Sequence, residues 1–112
     1  MSPRSWIIRV NDMIKAIDDS AQIISGKTFS NFKTDRTLVL ASLACVQIVG
    51  EACKHIPDEV KAKYLKVPWN EMRGMRNRVT HEYFEVDESI LWETVSSDFP
   101  GLKIELLKII ND

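Results

Sequence analysis

The segment from about Thr34 to His55 is apolar on two opposite sides when it is drawn as a helix. On both sides the apolar residues recur at steps of three and four, the spacing of an α-helix. The Leu38 face comprises Leu38, Ala41, Cys45, Ile48 and Ala52. The Val39 face comprises Val39, Leu43, Val46, Gly50 and Cys53. A helix that is apolar on both sides is buried on both sides, so other helices must pack around this one.

Two arrangements would bury both faces of this helix. It can be the central helix of its own bundle, with neighbours on either side. Alternatively, one face packs inside the bundle and the other packs against a second subunit, with Gly50 allowing a close approach. The pattern alone leaves both arrangements open.

A helix is also predicted at the start of the chain. Residues 5–25 place apolar side chains at three- and four-residue steps, which indicates an amphipathic helix. Gly26 is suited to end it. We expect residues 27–33 to form a loop anchored by Phe29 and Phe32, after which Thr34 or Asp35 caps the central helix.

The second half of the chain continues the helical pattern. A short helix is predicted over residues 57–64, a longer one from Trp69, and another after Asp87, a natural N-terminal cap. Pro100 lies inside the last pattern, so we expect a kink or break near Phe99 with a final helix after it. No alternating strand pattern occurs, and the chain is predicted to be all-α, an antiparallel bundle of four to five helices.

Composition limits the size and the partners of the domain. The 112 residues, 45% hydrophobic and 28% charged, fit one domain over 1–112. A net charge of -1 provides no global attraction to nucleic acid, so a phosphate ligand would need a local cluster, for which Arg73, Arg76 and Arg78 are the densest candidates. No apolar run approaches the roughly 20 residues of a membrane span. We expect a soluble, cytoplasmic protein without a membrane partner.

The cysteines and the motifs indicate neither a metal nor a cofactor. Cys45 and Cys53 are eight residues apart on one predicted helix, roughly 12 Å along its axis, which is too far for a disulfide. They are predicted to be reduced, packed thiols. No zinc-type cysteine and histidine spacing and no glycine-rich phosphate loop occur, so no metal site is expected.

An arginine stands in the middle of an apolar helical face in the segment 69–84. This face, the Arg76 face, comprises Trp69, Met72, Arg76, Val79 and Tyr83. Arginine is rarely buried unless it is paired or binds a ligand. His81 would lie about 140° from Arg76 around a continuous helix. Either the helix ends near Thr80, or a second subunit faces Arg76 and completes a site.

Arg76, Asn77, His81 and Tyr83 could together support a reaction without a metal. A histidine can transfer protons near neutral pH, and an arginine can bind a phosphate and stabilise developing negative charge. These groups suffice for attack of a ribose 2′-hydroxyl on its own phosphodiester. By spacing alone, such residues are more often ordinary surface and packing residues.

A family resemblance adds to this interpretation. Residues 76–83, RNRVTHEY, match the R-x4-H-x-Y motif of the HepT-like toxins, a branch of the HEPN ribonuclease superfamily. Residues 48–52 resemble its I-x-G-E-A signature, and residues 68–77 resemble its P-W-x4-G-M-R-N run. Matching residues continue over 83–87 and 92–102, so the resemblance covers nearly the whole chain.

The resemblance implies a metal-independent endoribonuclease that forms a helical homodimer with a composite cleft. It implies the toxin of a type II/VII-like toxin-antitoxin system, paired with a minimal nucleotidyltransferase antitoxin that transfers AMP to Tyr83. His81 would be the general acid/base and Arg76 would bind the scissile phosphate. RNA is the implied substrate, and DNA is not expected.

Other residues receive supporting roles in this interpretation. Asn77 would orient Arg76 or His81, Glu51 would hold Arg76, and Arg73 and Arg78 would attract RNA. By itself, Glu51 is more simply a solvated or capping carboxylate. Thr80 departs from the family pattern, which usually has a small or branched apolar residue there, and its hydroxyl could compete for hydrogen bonds of His81.

We expect the homodimer to form through the Val39 face or through the Arg76 face beside it. An alternative function is a catalytically silent helical dimer that binds a nucleotidyltransferase as an adaptor or substrate-presenting subunit. The intact pair of Arg76 and His81 argues against it, because an adaptor does not require them. An unrelated four-helix ligand-binding module explains neither the arginine nor the two apolar faces.

Overall fold

The computed structural model describes residues 5–80 and 85–112, and these are all helical apart from turns, caps and one isolated bridge. The predicted all-α bundle is confirmed. In the described residues, four helices of 11 to 20 residues carry it, and three helices of six residues and one π-helical turn lie between them. In chain order the elements are α1 (Ser5–Ile24), α2 (Phe29–Thr34), α3 (Arg36–Cys53), α4 (Asp58–Lys63), α5 (Trp69–Val79), α6 (Glu88–Glu93), a π-helical turn (Thr94–Asp98) and α7 (Phe99–Ile110).

Helix α3 is the central helix, packed between α1 on one side and α5 on the other. All five residues of the Val39 face are buried inside this one subunit. A Cβ atom on Gly50 would lie 3.2 Å from the carbonyl oxygen of Met72, so the glycine allows α3 to approach α5 of the same chain. The prediction that the Val39 face forms the dimer interface is therefore wrong, because the core of the subunit already covers it.

The outer surface of α3 keeps some apolar side chains in contact with solvent. Leu40 and Ile48 are 47% and 46% exposed, and Ala44 between them is also exposed. By length and composition alone α3 could cross a membrane, but half of it is buried in the bundle. Its apolarity is that of a core helix with one additional exposed strip.

The predicted loop over 27–33 is wrong, because most of it is helix α2. Thr28 and Asn31 form a capping box: the Asn31 amide donates to the Thr28 hydroxyl at 3.2 Å, and the Thr28 amide donates to the Asn31 side chain at 3.4 Å. This pairing starts a helix where the composition resembles a loop. The aromatic anchor is present, since buried Phe32 packs on Trp92 with ring centroids 5.1 Å apart.

The predicted caps are present at the two aspartates. The Asp35 carboxylate accepts the amide hydrogens of Thr37 and Leu38 at 3.0 and 3.2 Å and starts α3. The Asp87 carboxylate accepts the amide of Ile90 at 3.0 Å and starts α6. Such bonds satisfy amides that have no partner within a helix.

The predicted break near Phe99 lies slightly upstream, as a π-helical turn over Thr94–Asp98. Here the Phe99 amide donates to the carbonyl of Thr94, five residues back. Pro100 has no amide hydrogen, and its ring would press on the carbonyl four residues earlier. The wider turn accommodates the ring, so the helical segment continues into α7.

Both cysteines are free and buried, as predicted. The Cys53 thiol donates to the backbone carbonyl of Trp69 at 3.4 Å. Burial raises the pKa of both thiols. They are packing residues of α3.

Candidate functional site

A groove of about 400 Å³ lies between α3 and α5. It is lined mainly by polar and charged side chains, although both helices bury apolar residues directly beneath it. Its lining residues are Gln47, Gly50, Glu51, Lys54, Arg73, Arg76 and Asn77.

The two helices run antiparallel along this groove. Cys53 is opposite Trp69, through the thiol hydrogen bond, and Gly50 is opposite Met72. Continuing this register along both helices places Lys54 toward the Trp69 end and Gln47 toward the Asn77 end. The close approach at Gly50 thus forms the floor of the groove.

Arg76 is partly buried and lies at the edge of the bundle. Its neighbours on the Arg76 face, Trp69, Met72 and Val79, are buried, whereas its own side chain lines the groove. The arginine in the apolar face is explained by this position, because its stem can cover apolar surface while the guanidinium reaches the groove.

The first alternative for Arg76, that the helix ends near Thr80, is confirmed. Helix α5 ends at Val79, and Thr80 is extended, with φ -122° and ψ 141°. The Thr80 hydroxyl donates to the carbonyl of Arg76 at 2.9 Å. This is a second hydrogen bond to this carbonyl, which also accepts the Thr80 amide at 3.1 Å.

Thr80 also connects the backbone at the end of α5 with the residues that precede α6. It forms an isolated antiparallel bridge with Val86, and the Asp87 amide donates to the carbonyl of Val79 at 2.7 Å. His81 and Tyr83 lie outside the described residues. Helix α5 ends at Val79, so the part of the predicted Arg76 face that contains Tyr83 also lies outside the described residues.

Glu51 lines the same groove as Arg76, and its carboxylate accepts a hydrogen bond from Lys54 Nζ at 3.2 Å. The role of holding Arg76 stays a prediction. Lys54 was not among the sequence candidates. The spacing contained a signal for it, because Lys54 is three residues after Glu51 and four after Gly50, on the same side of the helix.

Arg73, Arg76 and Asn77 are brought together, but Arg78 is not with them. Arg78 lies about 200° from Arg76 around α5 and lines a separate depression between α5 and α7, with Glu71 and Glu105. The three arginines of the sequence cluster therefore divide between two surfaces.

The groove is cationic in a chain of net charge -1. Three of its lining side chains are positive, Lys54, Arg73 and Arg76, and one is negative, Glu51, for a local balance of +2. Within 5–80 and 85–112 no three histidine, cysteine, aspartate or glutamate side chains gather as metal ligands. The donors that line the groove, guanidinium, ammonium and amide groups, suit an anion such as a phosphate.

The fold and the groove define an all-α domain with a cationic groove that contains Arg76, the first residue of the R-x4-H-x-Y motif. Comparison with protein families identifies it further: the profile of the family described as Ribonuclease HepT-like matches residues 13–109. The chain belongs to this HepT-like family.

Individual relatives agree with the family assignment. The chain is 35% identical over 100 residues to the "Probable ribonuclease HepT" of Thermococcus cleftensis, which covers 89% of this chain and 91% of the relative. A protein of Methanocaldococcus jannaschii, named as a candidate RNase, is 34% identical over 101 residues, 90% of this chain and 84% of the relative. A protein of Caldanaerobacter subterraneus subsp. tengcongensis, also named as a candidate RNase, is 39% identical over 87 residues, which are 78% of this chain and 78% of the relative. No solved structure matches this chain.

Proposed function

We propose that this protein is an endoribonuclease that cleaves RNA without a metal ion. The observation that carries the proposal is the cationic groove between α3 and α5, where Arg76 of the R-x4-H-x-Y motif lies with Arg73 and Asn77. The family and the names of its relatives support RNA as the substrate.

In the proposed reaction, the ribose 2′-hydroxyl attacks the adjacent phosphorus and the bond to the 5′-oxygen breaks. His81 accepts the proton of the 2′-hydroxyl as general base and then, as general acid, donates a proton to the leaving 5′-oxygen, which returns the histidine to its starting state. The products are a 2′,3′-cyclic phosphate and a 5′-hydroxyl end. Arg76 binds the scissile phosphate and stabilises the negative charge that develops on its oxygens.

Other groove residues support this reaction. Asn77 orients Arg76 or His81, and Arg73 attracts the RNA backbone electrostatically. The negative charge of Glu51 holds the side chain of Arg76 in position. Arg78 lies on the separate surface between α5 and α7. From there it attracts the part of the RNA that extends past the end of α5.

The proposed active form is a homodimer whose cleft combines motif residues of two subunits. The exposed apolar strip of α3, Leu40, Ala44 and Ile48, supports self-association, because it adjoins the polar edge of α3 that lines the groove. Paired apolar strips would remove this surface from water.

We place the enzyme in a toxin-antitoxin system in the cytoplasm. The proposed antitoxin is a minimal nucleotidyltransferase that transfers AMP to Tyr83. Membership of the HepT-like family supports this role. An AMP group near Arg76 would bring a phosphate to the groove that should receive RNA, and would block it by occupancy and charge repulsion.

The decisive experiment is incubation of the purified protein with total RNA, with and without a chelator. Arg76→Ala and His81→Ala should each lower the cleavage rate by at least about 10²-fold, because each removes an acid/base or electrostatic contribution of roughly that size. Circular dichroism should show unchanged helicity, and the chelator should have no effect.

Two results would contradict the mechanism. Cleavage that requires added magnesium or manganese would exclude a metal-free reaction. Absence of cleavage by the wild type, together with stable binding to a nucleotidyltransferase, would favour the adaptor function instead.

A further inference from the structure

Lys54 places a cation at the end of the groove away from Asn77. It is the C-terminal cap of α3, and its Nζ is held 3.2 Å from the Glu51 carboxylate. The side chains of Lys54 and Glu51 are 53% and 66% exposed. Ion pairs this exposed are weak, so Lys54 can exchange its carboxylate partner for another anion.

Of the two cations that α5 contributes to the groove, Arg73 is the one nearer to this end. Its charge reaches the neighbouring Cys53, where the positive charges of Lys61 and Arg73 oppose the rise in the pKa of the thiol caused by burial. Within 5–80 and 85–112 no carboxylate lies within ion-pair distance of Arg73. The two cations, from different helices, therefore line the same groove.

The position of Lys54 and Arg73 in the groove is distinct from that of Arg76. Arg73 and Arg76 are three residues apart on α5, about 4.5 Å along the helix axis, and Lys54 extends the positive surface farther in the direction of Trp69. A polyanion that lies along the groove would therefore meet cations in succession, because the groove follows both helices.

We propose that Lys54 and Arg73 form a second phosphate subsite, which holds an RNA backbone phosphate next to the scissile one bound at Arg76. This inference rests on the proposed function and deepens it by adding a substrate-positioning residue, Lys54, on α3. Without RNA, the Glu51 carboxylate pairs with the Lys54 ammonium group. When RNA binds, its phosphate replaces the carboxylate. A phosphate contact positions the strand and does not read its sequence.

The test is Lys54→Ala, measured by binding and by cleavage. Binding uses a single-stranded 2′-O-methyl RNA oligonucleotide, which lacks the attacking hydroxyl and stays intact. The variant should bind several-fold more weakly at low salt, equally for different base sequences, and the slope of log affinity against log salt should become shallower by about 0.7. In cleavage, KM should rise while kcat stays close to that of the wild type, and Lys54→Arg should restore binding.

Lys108→Ala is the matched control. Lys108 also pairs with a glutamate three residues earlier, with Nζ 2.9 Å from the Glu105 carboxylate, but on α7 outside the groove. Both substitutions remove one positive charge from a side chain that is more than half exposed, 53% for Lys54 and 57% for Lys108, and one ion pair to a glutamate three residues earlier. The difference in RNA affinity between the two variants therefore reports the effect of the position of Lys54 in the groove, and not the effect of the lost charge alone.

The outcomes separate this inference from the proposed function. Weaker binding by Lys54→Ala than by Lys108→Ala, with the shallower salt slope, supports the subsite. Equal binding by the two variants, while the wild type cleaves RNA, overturns the subsite alone. If the oligonucleotide distinguishes the variants but the wild type cleaves no RNA, the subsite stands and the proposed catalysis fails.

Discussion

At the scale of single residues, Thr80 and Arg76 show how a helix ends close to a side chain that is proposed to bind the scissile phosphate. The Thr80 hydroxyl donates to the Arg76 carbonyl, and the Thr80 amide donates to the same oxygen at 3.1 Å. These two bonds end α5 one turn after Arg76. The hydroxyl proton of Thr80 is used within the backbone of the helix end, whereas His81, for whose hydrogen bonds it could compete, lies outside the described residues.

Residue types indicated the candidate site better than their separation in sequence did. Arg76 was identifiable because a guanidinium within an apolar face needs a ligand or a partner. Lys54 was not identified, because its spacing from Gly50 and Glu51 defines one side of a helix without showing that this side lines a groove. Its position in the groove depends on the approach of α3 to α5, which is a tertiary contact.

Tyr83 is the proposed control point, and Tyr83→Phe tests it with the loss of one hydroxyl. After co-expression with the nucleotidyltransferase, intact-mass spectrometry should show AMP adducts on the wild type and none on Tyr83→Phe. The variant should stay folded and resist neutralisation, because phenylalanine has no oxygen to accept AMP. Tyr64→Phe is the control, since it removes the only other tyrosine hydroxyl, which bonds to Asp112, and should be labelled like the wild type. Equal labelling of Tyr83→Phe would identify another acceptor.

At the scale of helices, spacing and capping residues located the long elements. Asp35 and Asp87 cap α3 and α6 as predicted. The two misplaced features, α2 and the π-helical turn, are short. Each depends on local backbone geometry. The capping box at Thr28 starts α2, and the π-helical turn accommodates Pro100. The spacing of apolar residues contains no information about either feature.

Gly50 sets the distance between α3 and α5, so Gly50→Ala tests how the groove is built. The added methyl would lie 3.2 Å from the Met72 carbonyl oxygen, a backbone atom that cannot rotate away. Gly101→Ala is the control, because a Cβ there meets nothing within 4 Å in helix α7. Alanine should stabilise the helix at this exposed position by about 0.5–1 kcal/mol.

Urea denaturation should place Gly50→Ala about 1–3 kcal/mol below Gly101→Ala in free energy of unfolding, since overpacking costs that much. Binding of the 2′-O-methyl oligonucleotide should also weaken, because the two sides of the groove move apart. Equal stabilisation by the two substitutions would show that α3 and α5 can adjust without strain.

At the scale of the whole molecule, the apolar faces in the sequence predict the helical bundle. They do not predict which face is used for self-association. The Val39 face looked like a candidate interface, yet it is the most completely buried side of α3. Sequence shows which residues avoid water. It does not show whether α5 of the same chain or a second subunit covers them, because both produce the same spacing.

The exposed strip on α3 provides the test of the proposed dimer. Wild-type protein at micromolar concentration should scatter light as a dimer, and the double variant Leu40→Gln with Ile48→Gln should scatter as a monomer, because polar amides on this strip weaken apolar association. A matched control replaces two isoleucines outside α3, Ile8→Gln with Ile104→Gln, which are 62% and 60% exposed. It should remain dimeric. The monomeric double variant should also lose RNA cleavage if the cleft needs both subunits, whereas a monomeric and fully active wild type would exclude the composite site.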